Sequence, residues 1–130
     1  MIEFFMPMKP PTVTHQEKGW AVVNGKPVTY DTAEIKAAKA KLLGHLAKHV
    51  PSQPIAGPVR LIDKWCYPRG KHPNGAWKTT KPDTDNAVKL LKDCMTKAGY
   101  WVDDALVCSE VNEKFWADVP GIYIRVEELT

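Results

Sequence analysis

Cysteine is scarce in this 130-residue chain. Cys66, Cys94 and Cys108 are odd in number, widely spaced and form no CxxC pair. That argues against a disulfide scaffold or a zinc site, and for reduced thiols in a cytoplasmic protein, packed as small core residues. No apolar run approaches the roughly 20 residues a bilayer span needs. The opening stretch MIEFFMPMKPP lacks a basic n-region and carries Glu3 and prolines, unlike a signal peptide. Repeats, low-complexity tracts and linkers are missing, so residues 1–130 read as a single domain. GxSxG and Gly-rich phosphate-loop motifs are missing too. His45 and His49 are four apart, but no Glu follows His45 as a zinc protease helix requires. That pair reads as a solvated helix face.

What is present is ordinary in amount and uneven in placement. Hydrophobic residues make up 44% and charged residues 25%, enough for a real core and too apolar for wholesale disorder. Net charge is only +3. Yet from Lys64 to Lys81 the chain reads KWCYPRGKHPNGAWKTTK, with Lys64, Arg69, Lys71, Lys78 and Lys81 and no acid. The plain alternative for this tract is a solvated loop. Immediately after it come Asp83 and Asp85, and after one more helix length Asp103 and Asp104. A basic segment leading into acids suits a polyanion cut with metal help.

Local patterns outline the fold. Ile2–Met6 predicts a strand stopped by prolines, and the segment from Thr14 to Gly19 a loop. Asn24-Gly25 between β-prone runs predicts a hairpin. Asp31 or Thr32 caps a helix from Ala33 to about His49. Val59–Tyr67 alternates as a strand with Leu61 and Trp65 on one face. A second helix runs from Thr84 to Ala98, closed by Gly99. Strands follow at Ala105 to about Trp116 and at Ile122–Glu127. The expected architecture is a small α/β (α+β) domain, two helices on a mixed or mostly antiparallel sheet.

Aspartates at a helix start commonly cap free amides. The stretch DTDN with a second DD after the same helix argues for more. Like charges within about 4 Å cost roughly 4 kcal/mol per pair at an effective dielectric near 20. A divalent cation relieves that cost, and oxygen-only donors suit Mg²⁺ or Mn²⁺. If Asp83 and Asp85 lie in extended chain they point the same way, and the two acidic pairs can converge on one cleft. Of Asp103 and Asp104, only one can face inward in an extended segment. An EF-hand is excluded, because Val88 stands at the required Gly and Cys94 at the required Glu. Trp65, Trp77, Trp101 and Trp116 could stack on bases, although packing is the commoner role.

The stretch KPDTDNAVKLLKDCMTKAGYWVDD closely resembles the core motif of the RusA family of Holliday junction resolvases. Asp83, Asp85, Asn86 and Lys89 match its D-x-D-N-x-x-K element, and AGYWVDDALV its aromatic turn ending in two aspartates. The motif covers about a quarter of the chain, with weaker similarity around PPT and KPVTYD. The resemblance implies a RusA-like fold and a homodimer acting on four-way DNA junctions. It implies Mg²⁺, or Mn²⁺ in its place, on Asp83, Asp85 and Asp104, with Asp103 a less certain ligand. Lys89 would lie near the scissile phosphate, and Arg69, Lys71, Lys78, Lys81 and Asn86 would contact DNA. A phage or prophage source, nucleoid association and no membrane are the matching expectations. The alternatives are a nuclease of flaps or forks and a catalytically silent DNA-binding protein.

Overall fold

Asn24 and Gly25 both take positive φ, 52° and 76°, as a two-residue hairpin turn requires. The computed structural model describes residues 1–13 and 18–130. The expected loop from Thr14 to Gly19 therefore falls largely outside the described residues. The elements are β1 (Ile2–Pro7), β2 (Gly19–Val23), β3 (Lys26–Tyr30), α1 (Ala33–Leu46), β4 (Val59–Pro68), α2 (Thr84–Ala98), β5 (Val107–Ala117) and β6 (Gly121–Glu128). β2 and β3 make a two-stranded sheet of their own. The other four strands lie in the order β1-β6-β4-β5, antiparallel except for the β4–β5 pair. That parallel pair needs a crossover, and α2 supplies it.

Alternation on β4 buries Val59, Leu61, Asp63, Trp65 and Tyr67 against the helices. Phe4 and Met6 of β1 and Ile122, Ile124 and Val126 of β6 continue that face. α1 closes it with Ile35, Ala38, Leu42 and Leu46, and α2 with Val88, Leu91 and Met95. Fully burying one such side chain contributes roughly 1.5–3 kcal/mol. The opposite sheet face, with Phe5, Lys64 and Tyr123, stays partly open. No helix among the described residues is long and apolar enough to cross a membrane.

Several boundaries differ from expectation. Thr32 is the α1 cap, accepting from the Ile35 amide at 3.3 Å, while Asp31 pairs with Lys39 at 2.8 Å. α1 stops at Leu46, three residues before His49, in a turn where the His49 amide reaches the Leu46 carbonyl. His49 is solvent-exposed as expected, but it lies past the helix, with its ring stacked on Phe4 at 4.2 Å. β5 starts at Val107, because Asp104–Leu106 form a 3-10 turn. Cys94 is buried as expected, but Cys108 is exposed and Cys66 only half-buried.

Candidate active site

α2 has a regular apolar stripe of Ala87, Val88, Leu91, Cys94 and Met95. That stripe fixes the opposite side, where Asp85 and Lys89 lie exposed one turn apart. Asp83 occupies the N-cap position with extended backbone (φ −69°, ψ 146°), yet its side chain makes no capping hydrogen bond. Its carboxylate is thus spared for another use. Asp85 is already helical, so the two acids are set by the cap-to-helix bend rather than by strand alternation. Asn86 is half-buried beside them.

The entry to α2 is held from β5. The Lys114 ammonium donates to the carbonyls of Thr80 (2.6 Å) and Pro82 (2.8 Å), the residues leading into Asp83. Charge-assisted bonds of this kind are the stronger sort. Nothing local in the sequence marks Lys114, because its partners lie more than 30 residues away and depend on β5 running beside α2.

At its other end, α2 closes with a Schellman arrangement. Gly99 sits at φ 99°, its amide reaching Thr96 O and the Tyr100 amide reaching Met95 O. Tyr100 Oη donates to Leu46 O at 2.6 Å, and Trp101 Nε1 to Thr96 Oγ1 at 2.7 Å. These buried aromatic contacts anchor the turn that presents Asp103 and Asp104. Asp103 Oδ1 accepts from the Ala105 amide at 2.9 Å, a capping role. Asp104 is half-exposed; its backbone carbonyl accepts from the Val107 amide, and its carboxylate makes no hydrogen bond or ion pair with the described residues.

The two acidic elements do not meet within one chain. α2 has 15 residues, a span of about 22 Å at 1.5 Å per residue. It runs antiparallel to β5: Pro82 lies at Lys114, and Lys92 pairs with Glu110 nearer the strand's start. Asp83 and Asp85 therefore flank the later half of β5, whereas Asp103 and Asp104 precede its first residue. Among the described residues, no three His, Cys, Asp or Glu side chains are grouped to hold an ion. The expected single cleft is not formed among the described residues: the two acidic pairs lie at opposite ends of α2.

The basic tract divides as well. Residues 76–78 add a short edge to β5, through Trp116 N to Ala76 O at 2.9 Å and Lys78 N to Lys114 O at 3.1 Å. Lys78 is 7% exposed. Its ammonium lies 4.2 Å from the Trp116 ring centroid and 5.0 Å from that of Tyr67, and donates to Thr80 Oγ1. Burial, then the nearby Lys114 charge, lowers its pKa. A cation so enclosed is structural in this arrangement, contrary to its expected place on DNA. Arg69 pairs with Asp118 and donates to His72 O, so its charge is already matched. Lys71 and Lys81 are exposed, with no ion pair to the described residues. Of the tryptophans, Trp65 and Trp101 are core, Trp116 stacks on His72 at 4.1 Å, and Trp77 is 62% exposed.

Asp63 is a charged residue the functional reading passed over. It is fully buried, with Oδ1 accepting from Trp65 Nε1 at 2.7 Å and Oδ2 unpartnered. Burial pushes its carboxyl up to about 7, with Glu110 adding to the rise and the Trp65 bond and Lys92 opposing it. Its position between Leu61 and Trp65 on the apolar face was legible from strand alternation alone.

The RusA endodeoxyribonuclease family model matches residues 7–127. The chain belongs to that family. It is therefore an endodeoxyribonuclease by family, and the match spans both acidic elements and the basic tract. It is 35% identical over 102 residues to the crossover junction endodeoxyribonuclease rusA of Lactococcus phage r1t, covering 76% of each chain. It is also 30% identical over 122 residues to the uncharacterized protein YqaN of Bacillus subtilis strain 168, covering 85% of each.

Proposed function

We propose that this RusA-family endodeoxyribonuclease resolves four-way DNA junctions as a homodimer, by paired nicks in strands of like polarity. The observation that carries the reading is the Asp83 carboxylate, placed at a helix cap without capping it, beside Asp85 and Lys89. Hard oxygen donors of this kind fit Mg²⁺, with Mn²⁺ as a substitute. Asp83 and Asp85 supply half of a site, and Asp104 supplies a donor at the far end of α2. A two-fold axis that sets one protomer's helix start against its partner's helix end would join the halves into two equal sites. The four-way junction is itself near two-fold symmetric, so such a dimer suits one nick in each of two strands.

When bound, a divalent cation supplies an acidified water and offsets charge on the attacked phosphate. The chain's own part is positional and electrostatic. Lys114 holds the 80–83 turn, and the apolar face of α2 keeps Asp85 and Lys89 on the open side. Lys89 would place positive charge where it develops in the transition state. Lys71 and Lys81 would contact phosphates, adding affinity with little sequence readout.

A gel of labelled four-way junction, matched duplex and flap tests the reading. Symmetric nicks in the junction alone, present with Mg²⁺ and lost with chelator, are expected. Equal or faster cutting of flaps or forks would favour the other branched substrates, and no cutting would favour a silent DNA-binding protein. Salt dependence tests the basic tract. Replacing Lys71 and Lys81 by Gln should flatten the slope of log K against log salt by up to about 2 per protomer, one phosphate contact each. An unchanged slope would return the tract to a solvated loop.

A further inference from the structure

We infer that Trp77 is a preformed stacking platform for an unstacked DNA base, distinct from the cutting centre. The inference rests on the branched-DNA reading above and adds to it a site for exposed bases. Its backbone is fixed by an isolated bridge to Phe115, flanked by the bonds of Ala76 and Lys78 to β5. Its ring stacks on Phe115, with centroids 4.6 Å apart and planes at 29°. Even so, 62% of the residue stays open to water.

Charge selects the occupant. No acid occurs from Lys64 to Pro82, and the nearby Asp118 is matched by Arg69. Lys71 and Lys81 flank the ring in sequence and carry no ion pair with the described residues. Glu113, two residues from Phe115 on the same strand face, is paired with Lys64. An apolar ring in a segment of cations without acids therefore fits a base with its phosphates better than an apolar protein surface. Stacking needs only a π-face, so it tolerates any base sequence. A matched duplex hides those faces, whereas the crossover of a junction and a single strand expose them. Trp77 would therefore favour branched over duplex DNA without reading bases.

The experiment compares wild-type protein with Trp77→Leu and Trp77→Phe, in chelator so that no strand is cut. The probes are a four-way junction with 2-aminopurine at the crossover, a matched duplex and single-stranded oligothymidylate. Trp77→Leu should weaken junction and single-strand binding roughly five- to a hundredfold, and leave duplex binding unchanged. Trp77→Phe should keep most of the affinity, and wild-type protein alone should strongly quench 2-aminopurine. Equal affinities for wild type and Trp77→Leu, with both melting alike, would overturn the inference. So would a shift from dimer to monomer in Trp77→Leu, which would make the ring a protein contact. A wild-type protein with no preference for junctions, whose single-strand affinity still falls in Trp77→Leu, would sink the junction reading and keep the stacking site.

Discussion

Asp85→Asn is expected to slow cleavage by at least about 10³-fold, the several kcal/mol of charge stabilisation a bound ion supplies. Binding of the junction should stay the same or tighten, because one negative charge facing phosphates is gone. Melting should move little, since Asp85 is exposed. Asp83→Asn and Asp104→Asn should behave alike if all three acids serve one reaction. Near-normal cutting by Asp85→Asn would end its assignment. The separation of the acids by the length of α2 adds a sharper test. Mixing Asp85→Asn protein with Asp104→Asn protein should restore cutting if the site spans two protomers. In the mixed dimer one site carries both substitutions and the other carries neither. About a quarter of all sites would then be intact at random assortment. Products should be single nicks rather than resolved junctions. Mixtures as inert as either parent would confine the site to one chain.

Asp63→Asn is expected to stabilise the protein near pH 8 and to change little near pH 4. Asp63 in the fold is raised to about 7, against roughly 3.9 in an unfolded chain. Between those values the native state keeps a proton that the unfolded state releases, so stability falls as pH rises. The loss is absent below about pH 4 and complete above about pH 7, at up to about 4 kcal/mol. A second observation agrees with a protonated Asp63. Asp63 Oδ2 and Asn112 Oδ1 are both buried without a partner, and the two residues are paired in register across β4 and β5. Both orphans are acceptors, and a proton on Asp63 would turn its own oxygen into a donor. An asparagine amide at position 63 would supply that donor at every pH. Melting followed by circular dichroism at pH 4.5 and 8 checks this. A variant no more stable than wild type at pH 8 would show Asp63 to be ionised and otherwise matched.

Much of the fold was legible because its signals are local. Asn24-Gly25, the apolar stripe from Ala87 to Met95 and the Gly99 closure each depend on a few neighbouring residues. The alternation of Val59 to Tyr67 also fixed which face is buried, and so marked Asp63. The candidate site was legible in where its acids fall along the chain and not in its layout. DTDN and DD lie close in sequence, and nothing local says whether a helix between them folds back or stands as a spacer. That follows from β4 and β5 being parallel, which the chain reveals only in three dimensions. Lys78 shows the same limit from another side. It reads as one more cation in a basic tract, but Trp116 and Tyr67, which enclose it, come from two strands.

The crossover helix α2 acts as a ruler. At its exposed positions, such as Lys97, no contact sets the gap between the two acidic elements, so substitutions there are expected to be tolerated. Its length has no such freedom. One residue inserted after Lys92 would advance everything beyond it by about 1.5 Å and turn it by about 100°. Gly99, Tyr100 and Trp101 would leave their seats, and in the proposed dimer Asp104 would no longer meet the partner's half of the site. A chain with such an insertion could still fold its first helical turns and keep Lys71 and Lys81, the proposed phosphate contacts, exposed. In the dimer proposed above it would be out of gauge with its second copy, and so also with the spacing of the strands that dimer would cut.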